Sequence, residues 1–315
     1  MTRYIARRLT EVVPTVLGIA LLTFLIVRLL PGDPAAFMAG DGISAEQLDA
    51  VRARLGLDQP LGTQLLDYLR GILTLDFGNS LLTNVPVRDL LLRAMPVTIA
   101  IATAAMVLGT LLAVPLGAIA AHHGSRGRKV LDQGLTWTAM VVDQMPSFWL
   151  GLIFMLVFVL QLGWLPATGA VPWDDPVTLV LRLLPAILIL AAGQVASIAR
   201  ITRAAVRDQL DEDYVRTARS LGQPGLSVLF RQVTRNGMLP VVTAMGLSFG
   251  RLLGGTVILE TIFALPGLGT LLVNAINSRD YPIVQAVVFV YALTFVLINL
   301  ATDLAYRSID PRVRL

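Results

Sequence analysis

From Ala94 to Ala121, 28 consecutive residues carry no charged side chain. As a helix that run rises about 42 Å, more than the roughly 30 Å of hydrocarbon in a bilayer. A second uncharged run, Tyr281 to Thr302, has 22 residues and would rise about 33 Å. Composition agrees with the two runs. The chain is 55% apolar and 15% charged, with a mean hydropathy of +0.72, whereas soluble domains carry about a quarter charged residues. The expected class is an all-α integral membrane protein.

Four further spans are expected. Leu9–Leu30 follows a basic start (Arg3, Arg7, Arg8) and is too long for a signal h-region. No small-residue cleavage site ends it, so it is expected to stay as the first span. Leu135–Leu162 is interrupted by Asp143 and Pro146, which predict a kink or a break. Leu183–Ala199 is short and bounded by Arg182 and Arg200, and Asn236–Ala264 contains Arg251 and Glu260. Six spans place both termini on one side. With the N-terminus inside, inner segments hold 16 basic residues against 7 in outer segments, so both termini are expected in the cytoplasm.

Two segments outside the spans stand out. Pro31–Arg93 is 63 residues with 5 basic and 8 acidic side chains, too long for a plain loop. Ser44, with Gln47 three residues on, predicts a helix start, and Gly56-Leu57-Asp58-Gln59-Pro60 a stop. Leu65, Leu66, Leu69, Ile72 and Leu73 predict a second helix. On the inner side, Arg200–Arg235 is basic, with helical stretches broken at Gly222-Gln223-Pro224-Gly225.

Several chemistries are excluded. A P-loop needs a lysine on the phosphates, and the lone lysine, Lys129, follows Arg128 and precedes Val130. There is no cysteine, and the two histidines, His122 and His123, are adjacent, so they do not share a helix face as a metal pair would; they read as an interfacial cap. Gly246-Leu247-Ser248-Phe249-Gly250 matches a nucleophile elbow by letter. It lies in an apolar span, where small residues serve close helix packing. Arg251 and Glu260 are nine residues apart, half a revolution out of phase on a helix. Each either lines a polar pathway or, for Glu260, sits solvated at the outer interface; Ser248 and Asp143 are further pathway or gating candidates.

The inner loop reads Asp213-Tyr214-Val215-Arg216-Thr217-Ala218-Arg219-Ser220-Leu221-Gly222, followed by Arg231, Arg235, Asn236 and Leu239-Pro240. It resembles the cytoplasmic EAA loop of bacterial ABC importer permeases, in the peptide/nickel branch. Further matches run along the chain, among them Pro31-Gly32-Asp33-Pro34, Asp76-Phe77-Gly78-Asn79-Ser80, Pro146-Ser147-Phe148-Trp149, Trp164-Leu165-Pro166-Ala167-Thr168-Gly169, Glu260-Thr261-Ile262-Phe263, Arg279-Asp280-Tyr281-Pro282 and Asp310-Pro311-Arg312.

The resemblance implies a type I importer permease fold, with an extracytoplasmic helical segment after the first span. It implies residues 1–94 as first helix plus that segment, 95–305 as the five-span permease domain with its coupling loop at 200–235, and 306–315 as a cytoplasmic tail. A second homologous permease, two ABC ATPase subunits and an extracytoplasmic solute-binding protein are the implied partners, with membrane lipid around them and no nucleic acid. The resemblance also implies that the chain needs no cofactor and catalyses nothing, with ATP and magnesium used by the ATPase subunits. Asp213 to Gly222 would form the ATPase-coupling helix, with Arg216-Thr217-Ala218 at the E-A-A positions. Ala218 and Gly222, small and four apart, are expected to let an ATPase groove approach closely. Taken alone, the charges fit an ordinary basic inner loop; the ordered motif selects the coupling role. The solute implied is a di- or oligopeptide, with glutathione or a nickel chelate as alternatives. An intramembrane hydrolase using Ser248 or Asp143 lacks a second catalytic group, and a secondary transporter would show inverted repeats and intramembrane acid pairs.

Overall fold

The structure is a computed structural model that describes residues 2–29, 35, 44–54, 56–125, 129–166, 169 and 172–309. Pro31-Gly32-Asp33-Pro34, Ala167-Thr168 and Asp310-Pro311-Arg312 lie outside the described residues. Helices form nearly all of it: α1 Thr2–Leu29, α2 Ala45–Arg54, α3 Leu61–Thr74, α4 Val87–Ser125, α5 Lys129–Gln144, α6 Ser147–Phe154, α7 Pro176–Leu210, α8 Asp213–Ser220, α9 Gly225–Val228, α10 Met238–Ile262, α11 Leu268–Asn277 and α12 Tyr281–Ile309. Among the described residues, α4, α7, α10 and α12 are each long and apolar enough to cross a membrane alone. The other two expected spans are helical too. In α1 the apolar part described is Val12–Leu25, and the remaining span is divided.

That division follows from Pro146, which has no N–H to give to a helix. α5 ends at Gln144, Pro146 is extended (ψ 132°), and α6 starts afresh at Ser147 before a π-helical stretch, Met155–Gln161. The fourth expected span, Leu183–Ala199, lies within a longer helix. Arg182 and Arg200 do not bound a helix; both lie inside the 35-residue α7. Backbone hydrogen bonding continues past a charge whose long side chain reaches a polar region. Asp175 caps α7 by accepting from the Val177 and Thr178 N–H groups, with Pro176 in the first turn. The Thr178 hydroxyl, and then its N–H, hold the Asp175 carboxyl below its ordinary pKa.

The chain divides into two compact units. The first joins Met1–Thr98 to Pro266–Leu297. Its core packs Val87, Leu91 and Ala94 of α4 with Leu268 and Ala275 of α11 and Ile283, Val284 and Val287 of α12. The two helices expected in the 31–93 segment are α2 and α3, and α3 packs on α1. A buried clasp holds the loop after α3: Ser80 Oγ donates to Asp280 Oδ2 at 2.6 Å, and the Thr83 N–H donates to Ser80 Oγ at 3.0 Å. The two residues are 200 positions apart. No local signal in the sequence joins them.

The second unit holds Ile99–Leu265 and Ile298–Leu315. Here α5, α6 and α10 pack on α7. Close approach is bought with small residues, as expected between membrane helices. A Cβ on Gly117 of α4 would strike the Ala199 carbonyl oxygen and lie 2.8 Å from Thr202 Cβ on α7. One on Gly246 of α10 would lie 2.6 Å from Thr302 Oγ1 on α12.

Candidate functional site

The loop that follows α7 turns sharply and returns as α8. Helix α8 is short because its end is closed by a Schellman motif: the Gly222 N–H donates to the Arg219 carbonyl at 3.0 Å and the Gln223 N–H to the Ala218 carbonyl at 3.2 Å. The motif demands a left-handed residue, and Gly222 has φ +75°. Pro224 then starts the next helical stretch, α9, which passes through a π-helical turn at Leu229–Val233 and a last turn at Thr234–Asn236.

One face of α8 is closed by the chain itself. Val215 is fully buried and Ala218 nearly so, packed with Ala118 and Ala121 of α4, Val206 and Leu210 of α7, and Val228, Leu229 and Val233. This corrects the expectation that Ala218 is open to a partner. Val215, Ala218 and Leu221 are three apart, but the helix stops at Ser220, so Gly222 does not share Ala218's face. The inward small residue lets α8 lie close on its own chain. Tyr214 anchors the start, donating from its hydroxyl to Gln209 Oε1 at 3.0 Å, and Gln232 Nε2 donates to Gln223 Oε1 at 2.8 Å across the turn.

The opposite face is open. Asp213, Arg216, Thr217, Arg219 and Ser220 are exposed, and the Arg216–Asp213 pair at 3.3 Å is fully in solvent, where such pairs contribute under about 1 kcal/mol. Beside it stand three exposed apolar side chains: Leu221 (74% exposed), Leu226 (62%) and Phe230 (42%). Leu226 and Phe230 were not singled out in the sequence. They lie on one apolar stretch with the buried Val228, Leu229 and Val233, so the sequence holds no signal that separates the exposed pair from its covered neighbours.

The intramembrane candidates separate. Arg251 Nη2 donates to Ser248 Oγ at 2.8 Å and to Ser197 Oγ on α7 at 3.3 Å. Ser248 is fully buried in mid-helix with an arginine as its neighbour. That is a packing position, without the strand–turn–helix context of a nucleophile elbow. Glu260 is also fully buried, near the end of α10, so the solvated reading of this residue is overturned. Asp143, at the end of α5, accepts from Arg200 Nη2 of α7 at 2.9 Å. Nothing local pairs these two charges, which stand 57 residues apart. His122 and His123 fall in the last turn of α4, and among the described residues no group of three metal-ligating side chains gathers.

The family model for the binding-protein-dependent transport system inner membrane component matches residues 113–315, and that for the N-terminal part of such membrane components matches residues 1–102. The chain belongs to this family. It is therefore a permease component of an ABC importer, a transport subunit and not an enzyme, integral to the inner membrane. The chain is 41% identical over its whole length to a Brucella abortus protein named "putative peptide transport system permease protein", covering 99% of that relative. It is also 41% identical to the glutathione transport system permease protein GsiC of Salmonella typhimurium, again covering 99% of it. Among solved structures, an inward-facing MetNI methionine ABC transporter chain shares the fold of this permease at a TM-score of 0.57 and 15% identity, over 70% of this chain and 96% of that one. An amino acid ABC transporter matches at 0.51 and 17%, over 70% and 94%.

Proposed function

We propose that this permease forms half of the translocation path for di- or oligopeptides or a related small solute such as glutathione. It would work with a second permease, two ATPase subunits and an extracytoplasmic binding protein, and ATP would be hydrolysed on the ATPase subunits alone. The full-length identity to named peptide and glutathione permeases supports the solute class. The observation that carries the coupling role is the two-sided build of α8 and the stretch after it: a buried face that fixes α8 to the ends of α4 and α7, and exposed Arg216 and Arg219 on α8 followed by exposed Leu221, Leu226 and Phe230. A rigid anchor on one side and an apolar, basic surface on the other suit a helix that receives a push from an ATPase and passes it to two spans.

The docking face predicts its own test. Leu221→Asp with Leu226→Asp should lower co-purification of the ATPase subunits at least tenfold, since apolar anchors at the centre of an interface are worth about 2 kcal/mol or more each. Membrane insertion should be unchanged. Undiminished co-purification would refute docking on this face. Both termini and α8 are placed in the cytoplasm on the 16-to-7 arginine and lysine asymmetry. Ser44→Cys and Thr83→Cys should then react with a membrane-impermeant maleimide added to cells, while Ser125→Cys and Ser220→Cys should not. Labelling of Ser220→Cys from outside reverses the orientation.

A further inference from the structure

The apolar helix α10, Met238–Ile262, carries one charge near its middle. Arg251 stands about 20 Å along the axis from the start of α10 and about 16 Å from its end, inside the depth of a bilayer's hydrocarbon. The residue is nevertheless exposed. Its Nη2 donates to Ser248 Oγ at 2.8 Å and to Ser197 Oγ at 3.3 Å. Among the described residues no carboxylate pairs with it, and Nη1 and Nε have no partner. A charged side chain at such depth turns to a water-filled cavity or an opposite charge, not to lipid. We propose that Arg251 is an anion subsite on the solute's path, and that its anion is the carboxylate of a transported peptide. The choice of a peptide rests on the solute class proposed above.

The face around Arg251 is built for a wet path. Thr243, Leu247, Arg251, Gly254, Ile258 and Thr261 are all exposed and recur every three or four residues, so they form one open stripe. That stripe mixes hydroxyls, a glycine and a charge with two aliphatic side chains. By contrast, every exposed side chain of α4 between residues 107 and 116 is apolar, as a lipid face requires. Ser197 and Ser248 are buried behind the guanidinium. Neutral hydroxyls orient the charge without cancelling it, which leaves three N–H donors for a ligand. A carboxylate takes several such donors at once, in bonds strengthened by charge. It is also the one anionic group that peptides share whatever their side chains, so an arginine here serves many sequences.

The test uses the importer complex purified through this chain, in phosphatidylcholine nanodiscs. The water-soluble arginine reagent p-hydroxyphenylglyoxal should modify Arg251, as read by mass spectrometry of proteolytic fragments. Trialanine at about 10 mM should slow that reaction at least about threefold, as a site of millimolar affinity requires. Trialanine amide, which lacks the carboxylate, should not. Arg88, exposed at the start of α4, should react at one rate throughout. An unreactive Arg251, or equal rates with trialanine and its amide, overturns the proposal. Protection by phosphatidylglycerol in place of peptide assigns the arginine to a lipid headgroup and overturns it too. In proteoliposomes supplied with binding protein and ATP, Arg251→Gln should cut trialanine uptake at least about tenfold, the loss expected for a hydrogen bond to a charged group. Arg251→Lys, which keeps the charge, should lose less, and solute affinity of the binding protein should not change. Unchanged uptake in Arg251→Gln refutes the subsite. Should the unmodified importer take up no trialanine while trialanine still protects Arg251, the peptide reading falls and the anion site stands.

Discussion

Val215→Asp is expected to release α8 from the body of the permease while leaving the spans inserted. Val215 has no exposed surface and is surrounded by alanine, valine and leucine side chains. An ionised carboxylate there would be unpaired, and an uncompensated buried charge costs about 3–5 kcal/mol. The segment following α7 is held by this one apolar cluster and a few hydrogen bonds, so the cost is met most cheaply by local detachment. Limited proteolysis of inside-out vesicles should then cut between residues 211 and 237 at least tenfold faster than in the unmodified protein. Thr217→Asp, on the open face, should cut at the normal rate. Ala218→Leu should lie between the two, because overpacking a filled site costs about 1–3 kcal/mol. Equal protease resistance in Val215→Asp and Thr217→Asp would mean that the buried face does not hold the helix. The contrast also separates two causes of failed coupling. Val215 and Ala218 act from beneath, through loss of the anchor, whereas Leu221 and Leu226 act at the partner.

The second large effect is expected at Gly117. A Cβ there meets the Ala199 backbone oxygen, and it would lie 3.0 Å from the Arg203 backbone nitrogen. No rotamer change relieves a clash with backbone; α4 and α7 must separate. Gly117→Val should therefore cost about 3 kcal/mol, at the upper end for overpacking. At roughly 1.5 °C per kcal/mol for a chain of this length, the melting temperature in detergent should fall by roughly 4–5 °C. Gly193→Ala is the control on α7, since a Cβ at that position meets nothing within 4 Å. Alanine is also the better helix former, so it should melt at or slightly above the unmodified temperature. A Gly117→Val protein as stable as Gly193→Ala would show that α4 and α7 do not touch at this point.

Much of this protein was legible along the chain because bilayer and backbone act locally. Uncharged runs of helix length locate α4 and α12, since hydrocarbon tolerates neither charge nor open backbone groups. Pro146 announces the break between α5 and α6, and Gly222-Gln223-Pro224 announces the end of α8, because proline lacks a donor and glycine admits a positive φ. The coupling segment was legible as a motif for the same reason: its ten residues are contiguous. The tertiary structure alone decided the facing of each residue. Ala218, expected to face a partner, is covered by Ala118, Val206 and Leu229, and of the two alternatives for Glu260, pathway or solvated, full burial removes the second. Asp143 found Arg200 across 57 residues and Ser80 found Asp280 across 200. The size of a side chain and its period along a helix limit which face it can occupy. Whether that face meets lipid, a partner or another part of the same chain depends on which helices pack together, and that is a property of contacts distant in sequence.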